Sequence, residues 1–279
     1  MATVKSSDGT MIAFDRSGEG PPLILVVGAL SYREGGGSSR PLAARLAQRF
    51  TVYSYDRRGR GESGDTAPYA VEREVEDIQA LIEEAGGSAY LYGISSGAAL
   101  ALEAATRGPG ITKLALYEPP FIVDDSRPPV QPDYARKLNE LLAAGRRGDA
   151  VRLFLREVGL PSIVVALMRF MPAWSKLKAV AHTLPYDFAT LDGNQPGNPL
   201  PAERWGGVTM PTLVVVGGKS PAWFHHGTRA LADVLPNAQH RVLDGQTHMV
   251  KPKALAPLLA GFLTSGSESY ASASSAAGW

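Results

Sequence analysis

The pentapeptide at residues 93–97, Gly-Ile-Ser-Ser-Gly, is the feature that most constrains the fold of this chain. A strand-like run at 89–92 precedes it, and an apolar helical pattern at 98–106 follows it. A turn from a strand directly into a helix is so tight that the residues two before and two after its centre must be small, as both glycines are. An ordinary glycine turn is the alternative interpretation, but this context favours a nucleophile at Ser95, exposed above the sheet.

Strand and helix patterns alternate on both sides of a long interruption. Strands are predicted at 23–27, 51–55, 89–92, 111–117, 212–216 and, shorter, at 239–243. Apolar residues at helical spacing predict helices at 69–85, 98–106, 228–235 and 255–263. This alternation is typical of an α/β protein, so we expect a mostly parallel, doubly wound sheet with helices on both faces.

The interruption carries helical patterns and no strand signals. Helices are predicted at 134–144, 148–157 and 163–171, and a loop rich in Gly, Asn and Pro at 192–201. We therefore expect a helical cap at 124–206, inserted between the two parts of a core domain, 1–123 and 207–264. Residues 265–279 are rich in Ser, Ala and Gly and predict a flexible tail.

Charge and composition exclude several classes of protein. The 279 residues contain 28 Lys and Arg against 27 Asp and Glu, and this net charge of +1 argues against a nucleic-acid partner. The absence of cysteine excludes disulfides, thiolate metal sites and a cysteine nucleophile. No run approaches the roughly 18–20 apolar residues that a membrane span needs. We expect a cytoplasmic protein with no membrane partner.

A serine hydroxyl needs a base to take its proton, and His248 is the candidate. It follows the predicted strand 239–243, and ligands of open α/β sheets bind at the carboxyl ends of the strands, where Ser95 also lies. The other four histidines fit surface or structural positions better: His182, His225, His226 and His240.

Two further segments carry a resemblance to a known family. Residues 56–63, Asp-Arg-Arg-Gly-Arg-Gly-Glu-Ser, resemble the D-x-R-G-x-G-x-S turn that follows an early strand in α/β hydrolases. Residues 26–30 resemble the strand end that leads into the oxyanion loop of that family. The family usually has His-Gly there, whereas this chain has Val27-Gly28, so its loop must be braced differently. The resemblance covers most of the predicted core domain.

The resemblance implies a serine hydrolase with a catalytic triad and an oxyanion hole. The backbone N–H groups of Ala29 and Ser96 would form the hole, and their side chains have no part in that role. Neither a cofactor nor a metal is implied.

The acid of the triad is where this chain departs from the family. The usual carboxylate follows the strand 212–216, but Ser220 stands in its place. We favour Glu118, at the end of the preceding strand, where two prolines follow it and fix the turn. Asp244, Asp187 and a Ser–His dyad without an acid remain alternatives.

The cap is rich in apolar side chains, which predicts a hydrophobic ester or lactone as the small-molecule substrate. Trp223, Met168, Trp174 and Tyr186 are the candidate substrate-binding residues. Other chemistry at the same serine is the alternative: C–C bond hydrolysis, perhydrolysis, or acyl transfer and cyclisation. A ligand-binding receptor with this fold is a further alternative. The sequence gives no prediction of oligomeric state.

Overall fold

The computed structural model describes residues 2–35 and 39–265, which build a single eight-stranded sheet. The strands lie in the order β1-β2-β4-β3-β5-β6-β7-β8. Their bounds are β1 Ala2–Lys5, β2 Met11–Ser17, β3 Pro22–Val26, β4 Thr51–Tyr55, β5 Ala89–Ile94, β6 Ile111–Tyr117, β7 Thr212–Gly217 and β8 Ala238–Leu243. Strands β3 to β8 pair in parallel, while β1 pairs with β2, and β2 with β4, in antiparallel orientation.

Helices cover both faces of the sheet. The helices of the core are α1 Arg40–Leu46, α2 Val71–Glu84, α3 Ser96–Arg107, α9 Ala222–Val234 and α10 Pro252–Thr264. One apolar core lies between the sheet and α2, α3 and α9, and a second lies between the opposite face and α1 and α10. Strand β3 serves both cores, since Leu23 and Leu25 belong to one and Ile24 and Val26 to the other. This alternation in a fully buried strand confirms the predicted mostly parallel, doubly wound sheet.

Every described element between β6 and β7 is helical. These elements are α4 Tyr134–Ala143, α5 Arg147–Glu157, α6 Ser162–Met168, α7 Ala173–Ala179 and α8 Leu184–Thr190, with 3-10 turns at Ala181–Thr183 and Ala202–Trp205. The five helices and the first of these turns share an apolar cluster of their own, which also takes in Leu30, whereas Trp205 packs into the core that contains α2, α3 and α9. The exact bounds of the predicted core and cap stay a prediction, and the tail beyond residue 265 lies outside the described residues.

Three differences from the predicted elements have simple causes. The hairpin of β1 and β2 was not predicted, because β1 is an exposed edge strand with little apolar patterning. Helix α9 begins at Ala222 rather than at 228, because Pro221 sets its first turn. Helices α7 and α8 are only seven residues each, too short for a periodic signal. In the described ranges, no helix is long and apolar enough to cross a bilayer.

Candidate active site

Ser95 lies at the point where β5 turns into α3, in a strained backbone conformation (φ 57°, ψ −132°). Its flanking glycines are required by contact. A Cβ on Gly93 would lie 2.4 Å from the carbonyl oxygen of Gly97, and a Cβ on Gly97 would lie 2.4 Å from that of Val26. Backbone strain of this kind costs on the order of 1–3 kcal/mol and persists where the surroundings enforce it. The turn therefore has the geometry that the pentapeptide predicts.

The segment after β3 passes directly beside Ser95. A Cβ on Gly28 would come within 2.9 Å of the Ser95 Cβ, so only glycine fits there. Ala29 and Ser96, the predicted oxyanion residues, line the same cavity as Ser95. Ser96 is the first residue of α3, where backbone N–H groups have no partner within the helix. The two predicted donors thus belong to residues that line the same cavity as the serine.

Glu118 and His248 meet at the carboxyl end of the sheet. The Glu118 carboxylate is fully buried, and its Oε2 lies 2.7 Å from His248 Nδ1. Its other oxygen accepts hydrogen bonds from the Gly217 N–H at 2.7 Å and from the Ser220 hydroxyl at 2.5 Å. Three partners thus fix the carboxylate. Ser220, which stands where the family usually has the acid, supports the carboxylate from the neighbouring strand.

Two further contacts position His248, one on its ring and one on the loop that carries it. Phe224 of α9 stacks on the ring, with centroids 4.8 Å apart and planes inclined by 14°. The Tyr117 hydroxyl donates a 2.8 Å hydrogen bond to the Thr247 carbonyl and so anchors the loop that carries the histidine. His248 keeps about a third of its side chain exposed, on the cavity side.

One of the two alternative acids is buried in other contacts, and the other is exposed in a turn. Asp187 is buried, and its carboxylate accepts 2.7 Å bonds from Arg57, Arg60 and the Ser96 hydroxyl. Burial raises the pKa of this carboxyl, but the charges of Arg60 and Arg57 and the Ser96 hydrogen bond outweigh it, so the pKa lies below its ordinary value. Asp244 is exposed beside Gly245, whose φ of 71° marks a turn. Of the three candidate carboxylates, Glu118 is the one whose contact with His248 the structure shows.

Arginines brace the loop after β3, where this chain lacks the family's histidine. Arg60 donates to the Gly28 carbonyl at 2.7 Å, and Arg57 to that of Val27 at 3.4 Å. Both arginines are almost fully buried. The sequence predicted no function for them beyond their place in the motif at 56–63. Three arginines within four residues were the signal that could have found them, since arginine is rarely buried unless it is paired.

A cavity of about 830 Å³ opens over the candidate residues and is lined largely by apolar side chains. Its lining includes five of the predicted site residues: Ser95, Ser96, Ala29, His248 and Trp223. The cap contributes apolar side chains, among them Phe154, Val158, Leu160 and Phe188. Among the charged side chains of its described lining, Arg127 pairs with Glu157 at 3.5 Å and also lies over the Trp223 ring. Asp187 lines the cavity too and is paired with Arg57 and Arg60.

Three of the four predicted substrate-binding residues lie away from this cavity. Trp174 and Met168 pack into the apolar cluster of the cap. Tyr186 stacks on Tyr69 at 3.7 Å and bonds to Asp65. Their assignment as substrate contacts has no support from this cavity, because they pack in the interior of the cap and at its contact with the core. Phe154 of α5, with Val158 and Leu160 after it, lines the cavity instead. An apolar sequence alone does not distinguish a side chain that lines a cavity from one that packs in the interior.

None of the other four histidines is in the described lining of this cavity, and two of them have side-chain partners elsewhere. His226 lies 2.6 Å from Asp124 at the surface, and His240 contacts the Thr228 hydroxyl. Burial, then the charge of Arg147, lower the pKa of His182. Over the described residues, no group of three His, Asp or Glu side chains could hold a metal ion.

The parallel sheet, the serine turn and the histidine–carboxylate pair together define the class of α/β hydrolases. Residues 23–258 match the model of the Alpha/beta hydrolase family, and this chain belongs to that family. It is therefore a hydrolase by fold and by family.

Individual relatives agree with this assignment. A solved α/β hydrolase from Sphaerobacter thermophilus DSM 20745 is 56% identical, with a TM-score of 0.87 over 94% of this chain and all of that one. The enol-lactonase from Burkholderia xenovorans LB400 has the same fold at 21% identity, with a TM-score of 0.66 over 94% of this chain and all of that one. The "Uncharacterized hydrolase YraK" of Bacillus subtilis (strain 168) is 31% identical over 41% of this chain and 43% of its own length.

Proposed function

We propose that this hydrolase cleaves a hydrophobic carboxylic ester or lactone through an acyl-enzyme on Ser95. The observation that carries the proposal is the 2.7 Å contact between His248 and the buried Glu118, at the cavity that Ser95 lines. A buried carboxylate with three fixed partners can hold the imidazole in one tautomer and stabilise its charged form.

The contact with Glu118 gives the two ring nitrogens of His248 different roles in the proposed reaction. Because Nδ1 donates its proton to the carboxylate, Nε2 is left to accept a proton from the Ser95 hydroxyl. The serine oxygen attacks the substrate carbonyl, and the oxyanion that forms is stabilised by the N–H groups of Ala29 and Ser96. His248 returns the proton to the leaving alcohol, or to the ring oxygen that becomes the hydroxyl of an opened lactone. Water, deprotonated by the same nitrogen, then releases the acid.

The cavity supports the substrate class. Its lining is mainly aliphatic and aromatic, and the Arg127 side chain is already paired with Glu157 and covered by Trp223. Such a lining favours an apolar acyl or alcohol group over a sugar or a free carboxylate. An enol-lactonase shares the fold, so lactones belong in the test panel beside esters.

The test combines active-site labelling with turnover. Purified protein is treated with a fluorophosphonate, read by intact mass, and assayed against p-nitrophenyl esters and γ-lactones of increasing chain length. We expect one label per chain and hydrolysis that increases with chain length, both lost in Ser95→Ala. Labelling without ester or lactone turnover would redirect the search to C–C bond hydrolysis, perhydrolysis or acyl transfer. A folded protein that neither labels nor turns over, even with small reactive esters, would contradict the proposal and favour a binding role.

A further inference from the structure

A buried ionic cluster joins the cap to the core beside Ser95. Arg57 donates two bonds of 2.7 Å to Glu74 of α2 and one of 2.7 Å to Asp187 of α8. Arg60 donates to the other Asp187 oxygen at 2.7 Å and to the Thr183 hydroxyl at 3.0 Å. Two cations thus face two anions, and no charge in the cluster is left uncompensated. Asp187 is its only ionic member from the cap.

The cluster reaches both sides of the proposed oxyanion hole. On one side, the Ser96 hydroxyl donates to Asp187 Oδ1 at 2.7 Å, so the carboxylate holds the residue whose N–H is the proposed donor. On the other side, Arg60 donates to the carbonyls of Gly28 and Ser31, which flank the loop that contains Ala29. One cap carboxylate therefore connects the two segments. On one side it acts through Arg60, with a longer 3.4 Å bond from Arg57 to the Val27 carbonyl, and on the other through the Ser96 hydroxyl.

A second buried pair in the same loop makes no such connection. Arg58 donates two bonds, of 2.8 and 2.7 Å, to Asp77 of α2, and a third to Asp8. Asp77 is as deeply buried as Asp187, and both are 1% exposed. The Arg58 side chain contacts neither the segment after β3 nor Ser96 in any bond of the described residues. Replacing Asp77 therefore serves as the matched control: it removes a buried carboxylate from an arginine pair without removing a contact to the segment after β3 or to Ser96.

We propose that Asp187 is a positioning residue, through which α8 of the cap sets the alignment of the two oxyanion donors, Ala29 and Ser96. The expected effect on kcat rests on the proposed function. The position of the two donor segments does not, because it can be measured on the protein without substrate. Helix α8 is then a fixed part of the site, since moving it away would leave Arg57 and Arg60 short of a buried counter-charge. A stacked pair, Tyr69 with Tyr186, holds the same helix against the core.

Misalignment of donors affects the transition state more than the bound substrate. An oxyanion donor acts where charge develops, so its displacement lowers kcat while KM changes little. We expect Asp187→Asn to lower kcat by roughly 100-fold. Ser96→Ala keeps the backbone N–H and removes only the hydroxyl, so we expect a loss of about tenfold. Asp77→Asn should leave kcat within about twofold, even if it lowers the melting temperature as much as Asp187→Asn does.

Two readouts separate this proposal from the proposed function. The first is hydrogen exchange by mass spectrometry on the wild type and the three variants, which needs no substrate. Exchange should rise in peptides covering 27–31 and 94–98 in Asp187→Asn and in Ser96→Ala, but not in Asp77→Asn. The second readout is kcat and KM on whichever ester or lactone the wild type hydrolyses best.

Each outcome decides one proposal or the other. If the wild type hydrolyses nothing but exchange rises as expected, the proposed function fails and the positioning role stands. If the wild type is active and Asp187→Asn keeps its kcat in the folded fraction, the positioning role is wrong and the function stands. If Asp187→Asn does not fold, Ser96→Ala decides: unchanged kcat and unchanged exchange at 27–31 and 94–98 would overturn the positioning role.

Discussion

The Ser220 hydroxyl donates a 2.5 Å hydrogen bond to the carboxylate of Glu118. These residues follow β7 and β6, which are adjacent and parallel, so their chain ends meet at one edge of the sheet. At the family's usual acid position, this chain thus has a hydroxyl that donates to a carboxylate one strand away. The same edge holds His248, so a carboxylate from either strand end could reach the same imidazole.

Moving the carboxylate between these two positions tests that relationship. We expect Glu118→Gln to lower kcat by roughly 10³–10⁴-fold, because the amide favours the wrong histidine tautomer. Adding Ser220→Asp should recover at least tenfold of that loss, since position 220 lies at the same end of the sheet. The measurement is kcat on the best ester, with circular dichroism of each variant. Full activity in Glu118→Gln would instead indicate a dyad.

The glycine at the start of α3 should tolerate no side chain. In Gly97→Ala, the new methyl group would meet the backbone oxygens of Val26 and Val27 at 2.4 and 2.6 Å, so we expect a loss of about 3 kcal/mol in unfolding free energy. Gly261 in α10 is the control, because nothing lies within 4 Å of its Cβ position. Gly261→Ala should stabilise the protein by about 0.5–1 kcal/mol. Urea unfolding measures both, and equal effects would contradict the packing argument.

Trp223 should set the size of substrate that the cavity accepts. Trp223→Phe keeps an aromatic ring on Phe224, the residue that stacks on His248, but enlarges the cavity. We expect kcat/KM for esters longer by one or two methylenes to rise about threefold relative to short ones. Trp174→Phe removes the same atoms inside the cap, away from the cavity, and should lower stability without changing chain-length preference. Identical preference profiles in the two variants would refute this assignment.

The buried Asp187 carboxylate should make the protein sensitive to acid. Its pKa is held below the ordinary value, so its ionised form stabilises the fold above about pH 4, and this stabilisation is lost as pH falls through the lowered pKa. In Asp187→Asn, we expect the free energy of unfolding to fall less steeply as the pH is lowered. Below pH 4 the slope should be smaller than in the wild type by up to about 1.4 kcal/mol per pH unit. Chemical unfolding between pH 2.5 and 6 measures the slope.

An exposed carboxyl provides the control for that experiment. The pKa of Asp133 is also lowered, chiefly by its hydrogen bond to Lys137, but the side chain lies at the surface and is 42% exposed. Any change that Asp133→Asn makes to the pH dependence of the unfolding free energy should vanish in 0.5 M NaCl. The change made by Asp187→Asn should persist, because salt screens exposed charges far more than buried ones. Loss of both effects in salt would show that the Asp187 cluster is open to solvent.

Much of the fold could be predicted from local patterns. The alternation of strand and helix signals predicted the parallel sheet, and the two glycines around Ser95 predicted the turn from β5 into α3. Strand order along the chain predicted that Ser95, Glu118 and His248 would lie at one edge, and the structure places Glu118 and His248 in contact. Their catalytic roles stay predictions. These inferences succeed because hydrophobic periodicity and tight-turn sterics act over a few residues.

Only the tertiary structure decided which side chains meet across the chain. Arg57 and Arg60 contact Asp187 from 130 and 127 residues away, and no local pattern pairs residues at that separation. Packing likewise decided that Trp223 lines the cavity while Trp174, equally apolar, fills the cap. The sequence determined where a serine, a histidine and a carboxylate could meet, because short-range sterics and strand order set those positions. Long-range packing and buried charge pairing decided how the cap rests on them.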